Sequence, residues 1–138
     1  MQFPINSVND LEKISSTVKW QYFEKLVAFI FQENGFDAQQ NIIVKDGLHK
    51  RQFDVIAKKY SVTYLVECKK WKGKQRIASL KPAVKKHLER CSLYVEVHAE
   101  KVLPIIVTLV DDKVEDENGV PIVPIMKLNW FINNRDSI

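Results

Sequence analysis

The sequence predicts a mixed α/β domain whose sheet is covered on both sides, and three observations lead there. A helix-period apolar stripe lies in the first quarter, three strand-like runs joined by short turns follow it, and helix-length and strand-length segments alternate to the end. With 138 residues, 46% of them apolar and 28% charged, the chain is expected to form one domain over 1–138.

Ser7 and Asp10 mark a short helix ending near Ile14. A longer helix starts after Ser15 or Ser16 and runs to Asn34, stopped by Gly35. Its stripe is Trp20, Phe23, Val27, Ile30 and Phe31, and Glu24 stands on the edge of that stripe, an odd place for a charge. DAQQNIIV (37–44) alternates Ala38, Gln40, Ile42 and Val44 on one face of a half-buried strand, and Asp46-Gly47 signals a hairpin. The returning strand covers 50–59. After a turn at Tyr60 and Ser61, VTYLVECKK supplies the third strand of an antiparallel meander.

WKGKQ (71–75) reads as a loop, and a helix from Arg76 or Ser79 to Arg90 tolerates Pro82 near its start. A weak strand is expected over 92–98 and a firm one over 102–110. An acidic turn over 111–119, a strand over 120–126 and a short helix over 127–134 complete the chain.

VLPIIVTLV, the longest apolar run, is half the length that crosses a bilayer, and MQFPINSVND has no secretory pattern. A cytoplasmic protein with no membrane contact and with reduced thiols at Cys68 and Cys91 is therefore expected. Residues 45–90 hold 14 Lys and Arg against 4 Asp and Glu, while the remainder holds 7 against 13. A basic middle of that kind suits a polyanion, and nucleic acid is the commonest.

Within this basic block sit misplaced acids. In YLVECKKW, Glu67 and Lys69 share one strand face while Val66 and Cys68 share the other. Asp54 lies between Phe53 and Val55 one strand earlier, and Glu24 approaches from the helix above. Carboxylates packed together repel, and each buried charge costs several kcal/mol. A divalent cation with hard oxygen ligands, Mg²⁺ or Mn²⁺, resolves the conflict and can assist phosphodiester hydrolysis.

These residues resemble the PD-(D/E)XK nuclease superfamily, which has the restriction-endonuclease-like fold: an acid on one strand, Asp54, then Glu67-Cys68-Lys69 on the next, 13 residues on. Glu24 occupies the helix glutamate position of many members. The likeness is strongest to Mrr-type nucleases and archaeal Holliday-junction resolvases and extends from about Trp20 to Arg90, inside a core motif region expected over 16–110. Phe53 stands where the family name has Pro, and KKHLER stands where many members carry a glutamine. The resemblance implies a metal-dependent DNA endonuclease. Asp54, Glu67 and the Cys68 backbone carbonyl would be metal ligands, Lys69 would position the attacking water, and Glu24 would act through water or hold a second metal.

Lys70, Lys72, Lys74 and Arg76 are expected to grip phosphates, with Lys85 and Lys86 as further contacts. Trp71 reads as a loop anchor, His87 as structural or solvent-facing, and Cys68 as a core thiol. Cutting two strands favours a homodimer through the apolar segment 120–132, and a protein partner is another source of specificity. The alternative is a non-catalytic nucleic-acid-binding module that retains the fold.

Overall fold

The computed structural model describes residues 20–70, 78–111 and 113–134. The order is α1 (Trp20–Glu33), β1 (Asp37–Asp46), β2 (His49–Lys59), β3 (Val62–Lys69), α2 (Leu80–His98), β4 (Leu103–Thr108), β5 (Asp116–Glu117), β6 (Val120–Pro124) and α3 (Ile125–Asn134). Six strands form one sheet in the order β1-β2-β3-β4-β6-β5. The first three strands are antiparallel; β4 and β6 then continue in parallel with β3. The mixed sheet flanked by helices matches the expected fold class.

Alternation divides the core between the two sheet faces. Phe23, Leu26, Val27 and Phe31 of α1 join Leu128 of α3 over Val55, Ala57, Tyr64, Val66, Cys68, Ile105 and Val107. On the other face, Cys91 and Tyr94 of α2 cover Val44, Phe53, Ile56 and Leu65. The start of α2 packs Leu80, Ala83 and Val84 on Ile106, Val120 and Ile122. Gly35, at φ +85°, stops α1 as expected, because a side chain there would strain the backbone.

Two sequence expectations are corrected. Residues 92–98 continue α2 instead of forming a strand. The alternation of Leu93, Val95 and Val97 suggested β structure, but Val84, His87, Cys91 and Tyr94 have a helical spacing that buries one stripe. Val95 and Val97 are left 40% exposed on the outer face. The second correction concerns β1. Ala38 packs with the α1-side core, whereas Ile42 and Val44 pack with the α2-side core. Asn41, at φ +53°, breaks the alternation, and the pair it would make with Asp54 is missing from an otherwise continuous ladder.

Because residues 95 and 97 are helical and exposed, Val95→Ala and Val97→Ala remove β-branched residues from a helix. Each variant is expected to be neutral or to stabilise by up to ~0.5 kcal/mol. Chemical denaturation measures this. A clear destabilisation by both variants would support a strand instead.

Candidate active site

The slip in β2 creates the site. Phe53 and Ile56 face α2 while Val55 and Ala57 face α1, so the regular alternation fails at Asp54. Pairing between β2 and β3 runs from Lys59↔Val62 to Val55↔Val66 and stops there. Beyond that point Glu67, Cys68 and Lys69 pair only with β4. The two strands fork, and the freed backbone is satisfied by a side chain: Cys68 N–H donates to Asp54 Oδ2 at 2.8 Å. Burial of an unmade amide hydrogen bond costs about 1–3 kcal/mol, so Asp54 is tied to the fork by backbone chemistry.

Two further acids meet around that carboxylate. Glu24 approaches Asp54 from α1, and Glu67 approaches it from the α2 face of β3, each close enough for the Asp54 charge to act on it. Glu24 is 6% exposed and Glu67 7%, whereas Asp54 is half-buried. Burial, then the charge of Asp54 and its hydrogen bond, push Glu24 up to about 7. Burial, with the Asp54 hydrogen bond and charge, pushes Glu67 up to about 8 against the pull of Lys69 and Arg90. Both glutamates therefore keep their protons to higher pH than free carboxyls do.

Two cations attend Glu67. Lys69 Nζ lies 4.0 Å from its Oε1, and Arg90 of α2 donates to its Oε2. Arg90 was not singled out in the sequence, although it sits beside the buried stripe of α2 as Glu24 sits beside that of α1. Ending the predicted helix at residue 90 hid that signal.

His87 is buried and binds the Leu65 carbonyl through Nε2 at 2.8 Å, so that nitrogen carries the hydrogen. Burial keeps the ring neutral by lowering its pKa to about 4. Of the two roles expected for it, structural or solvent-facing, its burial and this hydrogen bond fit the structural one. Cys68 is a core thiol, held well above its ordinary value by burial and then by Asp54.

Glu24, Asp54, Glu67 and Lys69 are therefore brought together. Lys70 follows them half-buried, and Lys85 and Lys86 are exposed on α2. Trp71, Lys72, Lys74 and Arg76 lie outside the described residues, as does the short helix expected near Ile14. Among the described residues, no three His, Cys, Asp or Glu side chains stand in a ready metal-ligating arrangement. The donor chemistry nonetheless fits a hard cation. The acids are clustered oxygens whose mutual repulsion and desolvation raise two of their pKa values, and a divalent ion relieves both.

The acid cluster gives stability a definite pH slope. Unfolded glutamates titrate near 4.5 and these two near 7 and 8, so the folded state binds more protons in between and stability falls as pH rises. His87, lowered from 6.5 to about 4, acts in the opposite sense, and its contribution is complete above about 6.5. The window from pH 6.5 to 8 belongs to the acids. With EDTA present, the melting temperature should fall across that window, and Glu67→Gln should flatten the fall. A flat profile for the unmodified protein would contradict the cluster.

Comparisons with known proteins bear on the family and the fold. The Mrr catalytic-domain model, described as "Restriction endonuclease", matches residues 15–100. An uncharacterized protein of Archaeoglobus fulgidus is 28% identical over 118 residues, covering 85% of this chain and 92% of its own. A crystallised protein of unknown function is 28% identical over 64% of this chain, at a TM-score of 0.48; the match spans only 46% of that protein. The small subunit of the heterodimeric restriction endonuclease R.BspD6I shares the fold at a TM-score of 0.55, over 85% of this chain and 69% of its own, at 14% identity. No helix among the described residues is long and apolar enough to cross a membrane. With more than half of its length matched by the family model, the chain belongs to the Mrr-type restriction endonuclease family.

Proposed function

We propose that this chain is a metal-dependent DNA endonuclease that hydrolyses phosphodiester bonds at the forked end of β3. The observation that carries the reading is the meeting of Asp54 with Glu67, Lys69 and Glu24 where β2 and β3 separate. A protein that only gripped a polyanion would gain nothing from carboxylates aimed at it.

Asp54, Glu67 and the Cys68 carbonyl would hold Mg²⁺ or Mn²⁺, with Glu24 acting through water or on a second ion. When bound, such an ion polarises the phosphoryl oxygen and favours ionisation of a water at neutral pH. The chain's own residues arrange the rest. Asp54 is oriented by the Cys68 N–H at one oxygen, and Glu24 adds a second restraint. Lys69, held beside Glu67 Oε1, orients the attacking water and offsets the negative charge that grows on the phosphorane. Arg90 keeps Glu67 in position before DNA arrives, and its planar fork suits a phosphate once Glu67 has another partner.

Lys70, Lys85 and Lys86, together with Lys72, Lys74 and Arg76, are proposed phosphate grips. The described residues form one such site, so cutting both strands would call for a second copy of the chain or a partner. The fold shared with one subunit of a heterodimeric enzyme favours considering a partner.

A second reading has one observation in its favour. An arginine that neutralises Glu67 in place of a metal is what a non-catalytic DNA-binding module would keep. A nicking assay on duplex, single-strand, flap and four-way-junction DNA separates the two, with Mg²⁺, Mn²⁺ or EDTA. Cleavage should require metal, and Asp54→Ala or Lys69→Ala should slow it by about 10²-fold or more. Binding unchanged in both variants, with no cleavage under either metal, would establish the binding module.

A further inference from the structure

We infer that the β1–β2 hairpin is a ribbon that enters a groove of duplex DNA beside the site, with Lys45 and Lys50 on the phosphates and Leu48 at the tip. The inference rests on the nuclease reading only for its choice of DNA as the polyanion.

The hairpin outruns the sheet. β1 and β2 stay paired as far as Asp46↔His49, whereas the pairing of β2 with β3 ends at Val55↔Val66. Val44 is the last residue of the arm buried against α2, and every residue from 45 to 52 is exposed. The projecting end is a bare two-stranded ribbon that continues from the fork. Lys50 is four residues from Asp54, about 13 Å along a strand, or roughly four base-pair steps of duplex.

Its side chains are arranged at the expense of stability. Lys45 and Lys50 are direct cross-strand partners. Opposed residues in an antiparallel pair share a face, and like charges in that position repel. Among the described residues no acid stands within ion-pair distance of either lysine. On the same face, two pairs nearer the site, Ile43 is 53% exposed. Arg51 adds a third cation on the opposite face, beside Val44. A polyanion running between the two lysines turns their repulsion into attraction.

The tip is equally unusual. Gly47, at φ +59°, opens a two-residue loop between Asp46 and His49, as a tight hairpin demands. The second loop position has no such constraint, yet it holds Leu48, fully exposed, where a polar residue would be expected. A major groove about 12 Å wide admits a two-stranded ribbon, and an apolar tip fits against thymine methyl groups on its floor. Lys45, Lys50 and Arg51 behind an apolar tip, against the single acid Asp46, match duplex DNA better than they match a free phosphate.

The test is fluorescence anisotropy with a labelled DNA duplex over a series of salt concentrations, without divalent metal. Lys45→Gln with Lys50→Gln should weaken binding about tenfold or more and reduce the salt slope by about 2. Leu48→Ser should weaken binding severalfold with the slope unchanged. Lys113→Gln, on the exposed loop before β5, should do neither. The double variant should melt at the same temperature or higher, because a repulsion has been removed. Unchanged affinity and slope in the double variant, with the unmodified protein binding duplex, would overturn the hairpin assignment and leave the nuclease reading intact. Hairpin-dependent binding in a protein that cuts no DNA under Mg²⁺ or Mn²⁺ would sink the nuclease reading and support the ribbon. Failure of the unmodified protein to bind any duplex would overturn the ribbon.

Discussion

The hydrogen bond from the Cys68 amide to the Asp54 carboxylate is the constraint on which the rest of the site depends. Antiparallel strands that continued to pair would satisfy Cys68 from the backbone and leave no opening. Here β1 and β2 slip together at Asn41 and Asp54, β2 leaves β3, and a side chain takes the place of the missing ladder bond. The carboxylate is fixed at the apex of a fork, with β3 offering Glu67 on one side and α1 offering Glu24 on the other. The same departure of β2 sends the hairpin beyond the sheet, so the acid cluster and the proposed DNA ribbon have one structural origin.

Packing makes that cluster electrically tense. The apolar layers under α1 and α2 desolvate Glu24 and Glu67, and Asp54 adds its own charge, so both glutamates hold protons into the neutral range. Arg90 and Lys69 offset part of this on the α2 side. His87, one turn before Arg90, locks α2 to β3 through the Leu65 carbonyl and so fixes where the guanidinium can reach. Such tension is poor design for stability alone. The proposed cation and phosphate would complete those charges.

Much of this was legible in the sequence because it rests on periodicity. The meander, α1 with its Gly35 stop and the later strand all follow from apolar spacing and turn residues. Glu24, Asp54 and Glu67 stood out as charges interrupting apolar patterns, and the fold brings them together. What was not legible depends on tertiary context. The alternation of Leu93, Val95 and Val97 imitates a strand, and only the buried stripe through Cys91 and Tyr94 selects the helix. Arg90 was lost with the end of that helix. The slip at Asn41 has no local signature, because asparagine tolerates a positive φ without requiring it. Residues 71–77, where several expected phosphate grips fall, lie outside the described residues.

The central claim is that the fork gathers carboxylates to complete their charge with a divalent ion. Isothermal titration of the metal-free protein with Mn²⁺ at neutral pH addresses it most directly, with Asp54→Asn and Glu67→Gln proteins alongside and circular dichroism to confirm folding. The account predicts saturable binding that weakens by at least tenfold in each folded variant. Mn²⁺ binding of equal strength in all three proteins, or none in the unmodified one, would contradict it.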